Sequence, residues 1–409
     1  MGNFTMFRIF HPVGQGAFYT EYINGENFRV IVIFDCGCDH TARYSNRIDD
    51  LIKGALSGID TIDILFISHF HYDHISKIPL LLKLKKKIKR VVLPYLHEDE
   101  KKLFMSFYRA LGYSELEKLV GSPEAFFEEG TTIHTVLPYE GGEGKVEGGE
   151  PIDLDTNNQK TIRSGAKLTT AELKSLNWVY IPYNFKNYEW AKKVKDELKK
   201  EGIDYEGIKE GNLEKLTEED KKKIKKIYEK VIRDLNVGSL VVYSGPGSNA
   251  SFSVTIKSIP SWFPCYCHRI DYMSCWRYAR YSRYYDWEEF FEDLRQLCEY
   301  RCYEYYPYKK PSCIYTGDYD LKKNDLSKVF NAYWDTVGTI QIPHHGSDKN
   351  FDERIIKPYT FYPISFGLKN KYGHPSKRVF YKITLRDGFP VPITELPCSA
   401  FIQCISLVI

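Results

Sequence analysis

The sequence lacks a long uninterrupted apolar run, since no stretch approaches the ~18 residues that a membrane-spanning helix requires. Its amino terminus also lacks the basic and then apolar pattern of a secretory signal. We therefore expect a cytoplasmic protein without a membrane partner. The 10 cysteines should then be mostly reduced thiols rather than a disulfide framework, because the cytosol keeps thiols reduced.

The chain also lacks a strong excess of charge of either sign. Its 57 Lys and Arg against 54 Asp and Glu leave a net charge of +3 in 409 residues. This balance neither indicates nor excludes a nucleic-acid substrate, because such binding depends on a local patch rather than on the total charge. A hydrophobic content of 43% and an aromatic content of 15% are enough for a large buried core, as in a soluble enzyme.

What the chain does have is a dense group of metal-ligating side chains after an apolar run. The run Ile62–Ile67 predicts a buried strand. Four candidate ligands follow it within a few positions: His69, His71, Asp73 and His74. Imidazole and carboxylate bind Zn²⁺ and its first-row neighbours, and the group contains no thiolate that would favour a closed structural site. The pattern predicts a catalytic metal site at the end of a strand.

Other strand-like runs end in further candidate site residues: Asp35 after Val30–Phe34, Asp318 after Ile314–Gly317, and His344 and His345 after Ile340–Pro343. In this order the segments resemble the metallo-β-lactamase superfamily, whose H-x-H-x-D-H signature is matched by the histidine group. The resemblance implies an α/β fold, a four-layer αβ/βα sandwich of two mixed sheets with outer helices. Ser365–Gly367 and Asn370–Pro375 narrow it to the branch that contains the hydrolase domain of bacterial DNA-uptake channel proteins.

The expected cofactors are two divalent metal ions, Zn²⁺ or Mn²⁺, which share a hydroxide and clamp the attacked and leaving oxygens. Each ion has its own expected ligands: His69 and His71 for one, and Asp73, His74 and His345 for the other. His345 is favoured over His344 as the ligand, which leaves His344 near the substrate. The sequence leaves this choice open.

Asp318 is expected to bridge the two ions. Thr316 and Gly317 should form a tight turn after a strand, so the carboxylate can project into a crevice at the carboxyl end of the sheet. An ordinary turn or helix-capping aspartate is the alternative. Asp35 is expected to orient the histidine loop as a hydrogen-bond acceptor rather than to bind metal.

His374 is the candidate for protonating a leaving group or holding an oxyanion, because it lies in a turn-rich segment and histidine has a pKa near working pH. A plain surface histidine is the alternative. Asp73 and His344 complete the set of catalytic candidates. The candidate contacts to substrate outside the arginine-rich segment are Asn249, Ser251, Ser347, Asn370 and Lys371.

The chain departs from the resembled family in two places. Many members supply a further histidine between the histidine loop and the bridging aspartate, but here His134 stands too early and His268 lies in an apparent insertion. The first ion is therefore expected to be poor in ligands. The usual glycine after the histidine group is also replaced, and Lys77 should either contact a phosphate or reach solvent.

The length of the chain predicts two insertions in a core built from residues 1–139, 236–257 and 312–409. Residues 140–235 should form a charged helical insertion, with helices over 190–200 and 216–235. The lysine run at 221–226 is more typical of a solvated helix face than of a nucleic-acid contact.

Residues 258–311 form the second predicted insertion, in which Arg277, Arg280 and Arg283 alternate with aromatic residues. Bases can stack on the aromatic rings while the arginines pair with phosphates. The alternative is that the rings pack against the core or against a partner protein.

The expected function is metal-dependent hydrolysis of phosphodiester bonds, with DNA or RNA as the substrate. One alternative is a phosphodiesterase that acts on a small molecule, such as a cyclic nucleotide or a phosphocholine ester. Another is a metal-binding interaction subunit without turnover, which docks a protein partner through residues 140–235 and 258–311. The fold alone does not separate these hypotheses.

Overall fold

The computed structural model describes residues 3–39, 42–140, 150–157, 159–185, 190–209, 217–234, 238–247, 253–260, 310–370 and 373–408. Its strands are β1 (Asn3–Phe10), β2 (Gly16–Asn24), β3 (Arg29–Cys38), β4 (Thr61–Phe66), β5 (Lys87–Pro94), β6 (Thr132–Val136), β7 (Ile152–Asp153), β8 (Thr161–Ile162), β9 (Leu168–Thr169), β10 (Trp178–Phe185), β11 (Ser239–Pro246), β12 (Ser253–Pro260), β13 (Ser312–Tyr315), β14 (Val337–Ile340), β15 (Phe361–Ser365), β16 (Phe389–Ile393) and β17 (Phe401–Val408).

The α-helices within these ranges are α1 (Ala42–Ala55), α2 (Tyr72–Ile75), α3 (Ile78–Lys83), α4 (Glu98–Ala110), α5 (Ser114–Gly121), α6 (Pro123–Phe126), α7 (Ala171–Ser175), α8 (Trp190–Lys200), α9 (Tyr205–Lys209), α10 (Glu218–Asp234), α11 (Leu326–Val329) and α12 (Lys377–Leu385). Short 3₁₀ helices span Asn331–Thr336, His344–Gly346, Glu353–Ile355 and Pro397–Ser399. No helix of the described ranges combines the length and the apolar character needed to cross a bilayer.

The strands form two mixed sheets. The first has the order β12-β17-β1-β2-β3-β4-β5-β6-β8 and changes from antiparallel to parallel pairing at β3. The second has the order β16-β15-β14-β13-β11-β10-β9-β7 and is parallel from β16 to β13. β3 is buried along its whole length after Arg29, as expected for a central strand that is covered on both faces.

Three apolar clusters separate four layers. Between the sheets, Phe34 of β3 stacks on Tyr315 of β13 with ring centroids 3.6 Å apart. On the outer face of the first sheet, α1, α4 and α5 contribute buried side chains to a second cluster, and α11 and α12 do the same for the second sheet. The predicted fold class, a four-layer αβ/βα sandwich, is confirmed.

The predicted insertion at 140–235 contains strands of the sandwich. Residues 152–185 supply β7 to β10, and β10 pairs antiparallel with β11 along its full length. The helical part begins at Trp190: α8 covers the predicted span, while α10 begins two residues later than predicted. In the sequence, the apolar run of β10 lies between charged and glycine-rich segments, and for this reason it was predicted to belong to the insertion. Its pairing with β11 assigns it to the core.

The helices of this insertion pack on the core rather than projecting from it. Val194 and Leu198 of α8 and Ile224 of α10 lie in the same apolar cluster as Leu103 and Phe104 of α4. The second predicted insertion, 258–311, is described only at its two ends, where 258–260 continue β12. Arg277, Arg280 and Arg283 lie outside the described residues.

A fully buried ion pair lies between the two sheets. Arg8 of β1 donates from Nε to Glu21 Oε1 of β2 at 2.8 Å, and both side chains are inaccessible to solvent. The same carboxylate accepts hydrogen bonds from the hydroxyls of Tyr180, Ser244 and Tyr315 on the second sheet. A charge on the first sheet is therefore solvated by hydroxyl donors of the second.

Replacing Arg8 by Met should lower the free energy of unfolding by about 3–5 kcal/mol, because a buried carboxylate loses its counter-charge. Denaturant unfolding followed by circular dichroism measures the loss. Arg8→Met combined with Glu21→Gln should recover part of the stability, since no uncompensated charge remains. Arg29→Met on the exposed start of β3 is the matched control, with an effect within about 0.5 kcal/mol. Losses that simply add in the double variant would contradict the proposed coupling.

Candidate metal centre

The candidate site lies where loops from the two sheets meet at one edge of the sandwich. The histidine loop follows β4 of the first sheet. Asp318, the pair His344 and His345, and His374 follow β13, β14 and β15 of the second sheet. Because these three strands are parallel, their carboxyl ends lie at one edge. The loops therefore bring together residues that are distant in the sequence.

Glycines allow the histidine loop to lie directly on the first sheet. A Cβ added to Gly37 would stand 2.5 Å from the carbonyl carbon of His74 and 2.6 Å from the carbonyl oxygen of Asp73. A Cβ on Gly16 would stand 2.7 Å from the same oxygen. Only glycine fits such an approach of backbone to backbone. The loop and α2 are thus set against β2 and β3.

Asp35 is an extra residue in β3. Cys36 pairs with Phe18 and Phe34 with Tyr19, so Asp35 has no partner on β2, and its φ of 54° is left-handed. Such a bulge turns a side chain out of the regular alternation. The Asp35 carboxylate accepts from the amide of Ser68 at 2.7 Å, from the Ser68 hydroxyl at 2.6 Å and from His74 Nδ1 at 2.8 Å.

These hydrogen bonds orient the imidazoles. His74 Nδ1–H donates to Asp35, and His345 Nδ1–H donates to the carbonyl of Ser365 at 2.8 Å. The Ser68 hydroxyl gives its proton to Asp35, so it accepts from His69 Nδ1–H at 2.9 Å. In each ring the Nδ1 position is therefore protonated, which leaves Nε2 as the nitrogen available to a metal ion.

Two groups of candidate ligands result, and within each group the ligand atoms lie within 4.8 Å of one another: His69, His74 and Asp318 in the first, and Asp73, His74 and His345 in the second. In the first group, Asp318 Oδ2 lies 3.7 Å from His69 Nε2 and Oδ1 lies 3.4 Å from His74 Nε2. In the second, Asp73 Oδ2 lies 3.0 Å from His345 Nε2. His74 belongs to both groups.

Divalent ions fit these residues. Among the described residues, several buried ring nitrogens at this place have no hydrogen-bond partner: Nε2 of His69, both nitrogens of His71, Nε2 of His74 and Nδ1 of His344. A buried polar atom without a partner costs roughly 1–3 kcal/mol. A cation that accepts the nitrogen lone pairs removes this cost, and the imidazole and carboxylate donors suit Zn²⁺ and its neighbours.

The charges of the site also favour metal binding. Burial lowers the pKa of His69 well below its usual value and that of His71 to about 4, so both rings are in the neutral form that binds metal. Burial alone would raise the pKa of Asp318, but the charges of His74 and His344 hold it well below its usual range. The site therefore offers ionised Asp318 beside the neutral rings of His69 and His71. Burial alone would lower the pKa of His74 and of His345, but the nearby carboxylates raise both, so an ion that binds these two rings displaces a proton.

The structure joins the expected ligands in a partly different way. Asp73, His74 and His345 come together as the sequence predicts. His69, however, is grouped with His74 and Asp318, and Asp318 is grouped with neither Asp73 nor His345. The two oxygens of Asp318 face His69 and His74, the expected ligands of different ions, and its bridging role stays a prediction. The ring of His71 stands edge-on to His69 with centroids 4.3 Å apart, and its nitrogens belong to neither group.

The loop after β15 brings His374 to the site. Its half-buried ring stands edge-on to the ring of His344 with centroids 5.6 Å apart. The side chain of Asn370 donates to the carbonyls of Gly367 and His374 and accepts from the amide of His374. The amide group expected to contact substrate thus holds the His374 loop instead.

The remaining predicted contacts have different outcomes. Ser347 is buried beside the histidine pair, and its amide donates to the carbonyl of His344. Lys77 Nζ donates to Asp49 Oδ1 at 2.6 Å, which is neither of the two positions expected from the sequence. The other candidates lie outside the described residues: Asn249, Ser251 and Lys371.

Several residues that support the site were not predicted. Ser239, the first residue of β11, accepts from the amide of Asp318 at 3.0 Å and lies 3.3 Å from His69 Nδ1. Gln341 accepts from the amide of Thr316 at 2.7 Å and holds the turn before Asp318. Ser68 could have been suspected from its position beside His69. Ser239 and Gln341 carry no such signal, because their partners are distant in the sequence.

Comparison with known proteins agrees with this geometry. Residues 29–156 match the family model of the metallo-beta-lactamase superfamily. The match contains Asp35 and the histidine loop, whereas Asp318 and His345 lie beyond it. No curated protein matches the chain. The match and the four-layer sandwich support a hydrolase that depends on divalent metal ions.

Changing Asp35 to Asn should weaken metal binding by about 10–100-fold, because the variant loses the acceptor that orients His74 and the histidine loop. Asparagine tolerates the left-handed backbone, so the fold should persist. Equilibrium dialysis with Zn²⁺ and with Mn²⁺ measures the affinity. Asp63→Asn, which alters a buried carboxylate of β4 bonded to Ile31 N and Lys89, is the matched control. Equal affinity in Asp35→Asn and wild type would refute the orienting role.

Proposed function

We propose that this chain hydrolyses phosphodiester bonds in a reaction that depends on two divalent metal ions, and that its substrate is DNA or RNA. The observation that carries the proposal is the pair of buried ligand groups that meet at His74. Two adjoining cations would offset the negative charge of a phosphodiester and lower the pKa of the attacking water. Zn²⁺ and Mn²⁺ are the proposed ions, since the ligands are imidazoles and carboxylates.

When bound, these ions supply Lewis-acid activation of water and stabilise the charge of a phosphoryl centre. The chain itself positions the reactants. Asp318 and Asp73 provide fixed negative charges within the two groups, and Asp35 and Ser365 hold the rings of His74 and His345. These contacts keep the ligand nitrogens directed at the centre.

His374 is the proposed contact to the reacting phosphate. Its ring lies next to His344 at the rim of the site, and Asn370 holds its backbone on both sides. Burial lowers the pKa of His374 to about 3, so the ring is neutral and the expected pKa near working pH is wrong. A neutral imidazole can donate one N–H to an oxyanion or a leaving oxygen. The described residues of the two segments that resemble the DNA-uptake branch adjoin the site: the carbonyl of Ser365 accepts from His345, and Asn370 donates to the carbonyl of His374.

Two other functions fit part of the structure. A phosphodiesterase of small molecules would use the same ligand groups. An interaction subunit without turnover would use its insertions to dock a protein. The ring nitrogens without a hydrogen-bond partner indicate bound metal, which an enzyme and this subunit would both hold, so turnover decides between them.

The double change His69→Ala and His71→Ala should reduce hydrolysis by more than about 100-fold, the loss expected when ligands rather than their supporting groups are removed. The substrates are labelled single- and double-stranded DNA, RNA and a chromogenic phosphodiester, each with Zn²⁺, Mn²⁺ or Mg²⁺. Metal content measured by elemental analysis should fall as well. His97→Ser, at the start of α4, is the control histidine change, because serine keeps the helix cap.

Cleavage of the chromogenic diester without cleavage of any nucleic acid would favour the small-molecule alternative. Bound metal without any hydrolysis would favour the interaction subunit. Unchanged metal content in the double variant would refute the assignment of the histidine loop.

If the arginine-rich segment holds nucleic acid, replacing Arg277, Arg280 and Arg283 by Ala should weaken binding and reduce its salt dependence by about one unit of slope for each lost phosphate contact. Cleavage of the chromogenic diester should survive, since the proposed chemistry uses other segments. Fluorescence anisotropy at several salt concentrations measures both quantities. Normal binding at every salt concentration would leave packing or protein docking as the role of this segment.

A further inference from the structure

Many members of the resembled family have a histidine between the histidine loop and the aspartate, and the described residues of this chain place no counterpart of it at the site. Between His74 and Asp318 the sequence contains only His97, His134 and His268. His97 accepts from the amide of Asp99 and caps α4, and His134 Nδ1 bonds to the carbonyl of Gln159. His268 lies outside the described residues. The first ion thus needs another ligand.

His344 has the position and the chemistry of such a ligand. The residue is 6% exposed, and its Nδ1 is a buried nitrogen without a hydrogen-bond partner among the described residues. This nitrogen lies 3.4 Å from Asp318 Oδ2, the same oxygen that faces His69 Nε2. The amide of His344 also donates to Asp318 Oδ1 at 3.0 Å. His344 is not among the residues of the first group whose ligand atoms all lie within 4.8 Å of one another, so the Asp318 carboxylate is its connection to that group.

The two consecutive histidines point to different groups. Both residues are left-handed, with φ of 51° at His344 and 53° at His345, and their ring centroids are 6.4 Å apart. His345 Nε2 lies at Asp73, whereas His344 Nδ1 lies at Asp318. Two successive non-glycine residues in this conformation are strained, and they persist only where other contacts fix them.

We propose that His344 supplies an imidazole to the ion held by His69 and Asp318, in the place of the missing histidine. The pair at 344–345 then serves both ions, one ring each. This inference rests on the proposed metal-dependent function, and it removes His344 from the groups available to act on substrate. It also explains why Nδ1 of the buried His344 ring, which lies beside the Asp318 carboxylate, has no hydrogen-bond partner among the described residues.

His344→Gly and His345→Gly test the proposal. Glycine adopts a positive φ without strain, so each change removes an imidazole and lowers the backbone strain rather than adding to it. Equilibrium dialysis with Zn²⁺ alone counts the bound ions and measures both affinities. The visible spectrum of the Co²⁺-substituted protein reports the ligands of each ion. Circular dichroism confirms that the variants are folded.

We expect His344→Gly to lose one ion, with an affinity reduced by more than about 100-fold, because supporting residues alone cost about 10–100-fold. Free imidazole should restore that ion. His345→Gly should lose the other ion. Combining His344→Gly with His69→Ala should spare one ion, whereas combining it with Asp73→Asn should remove both. The matched control His374→Ala, which alters the ring next to His344, should keep both ions.

The proposal is overturned if His344→Gly binds both ions with wild-type affinity and spectrum. It is also overturned if the affinity falls by only about 10–100-fold, the range for supporting residues, and free imidazole does not restore it. Loss of an ion in His268→Ala, with both retained in His344→Gly, would assign the ligand to His268. These readouts need no substrate. Wild-type protein that binds two ions but cleaves no diester would refute the proposed function and leave the ligand assignment standing.

Discussion

The hydrogen bonds accepted by Asp35 connect the packed interior of this protein to its metal centre. A buried carboxylate is costly unless donors surround it, and here the amide and hydroxyl of Ser68 and the ring of His74 fill that role. The same hydrogen bonds place a proton on Nδ1 of both His69 and His74, whose rings lie beside Ser68. The centre therefore depends on one bulged residue of β3, and on Gly37, whose missing side chain lets the loop reach it.

The site also requires that the two sheets keep a fixed relation, because each contributes part of every ligand group. Asp73 and His345 are 272 positions apart in the chain, and they meet only when the sheets face each other. Beneath them, the Arg8 and Glu21 pair receives hydroxyl donors from the second sheet. Ser239 adds a direct link, since its hydroxyl lies between Asp318 and His69. Stability and site geometry are thus supported by the same interface.

The helical insertion belongs to this arrangement. Its helices α8 to α10 share an apolar cluster with α4, and α4 in turn supports the histidine loop. The Tyr108 hydroxyl donates to the carbonyl of Phe70, and Phe104 lies beside the ring of His71. The helices of the insertion therefore pack against α4, and α4 packs against the histidine loop. A partner or substrate that contacted these helices would act close to the metal ligands.

The sequence by itself determined the fold class, the strands that precede the site and most of the candidate ligands. These features are local: an apolar run predicts a strand, and His69, His71, Asp73 and His74 stand together in the chain. The helix at 190–200 was likewise predictable from its periodicity. Residues such as Ser239 and Gln341 were not, because nothing near them in the sequence indicates a site.

Only the tertiary structure decided how the ligands combine. It placed His74 in both groups, directed His345 to Asp73 and His344 to Asp318, assigned β10 to the core and paired Lys77 with Asp49. Each of these outcomes depends on which atoms of distant segments approach within a few ångströms. Side-chain direction at that scale is set by backbone conformation and by packing of the two sheets, and local sequence patterns contain neither.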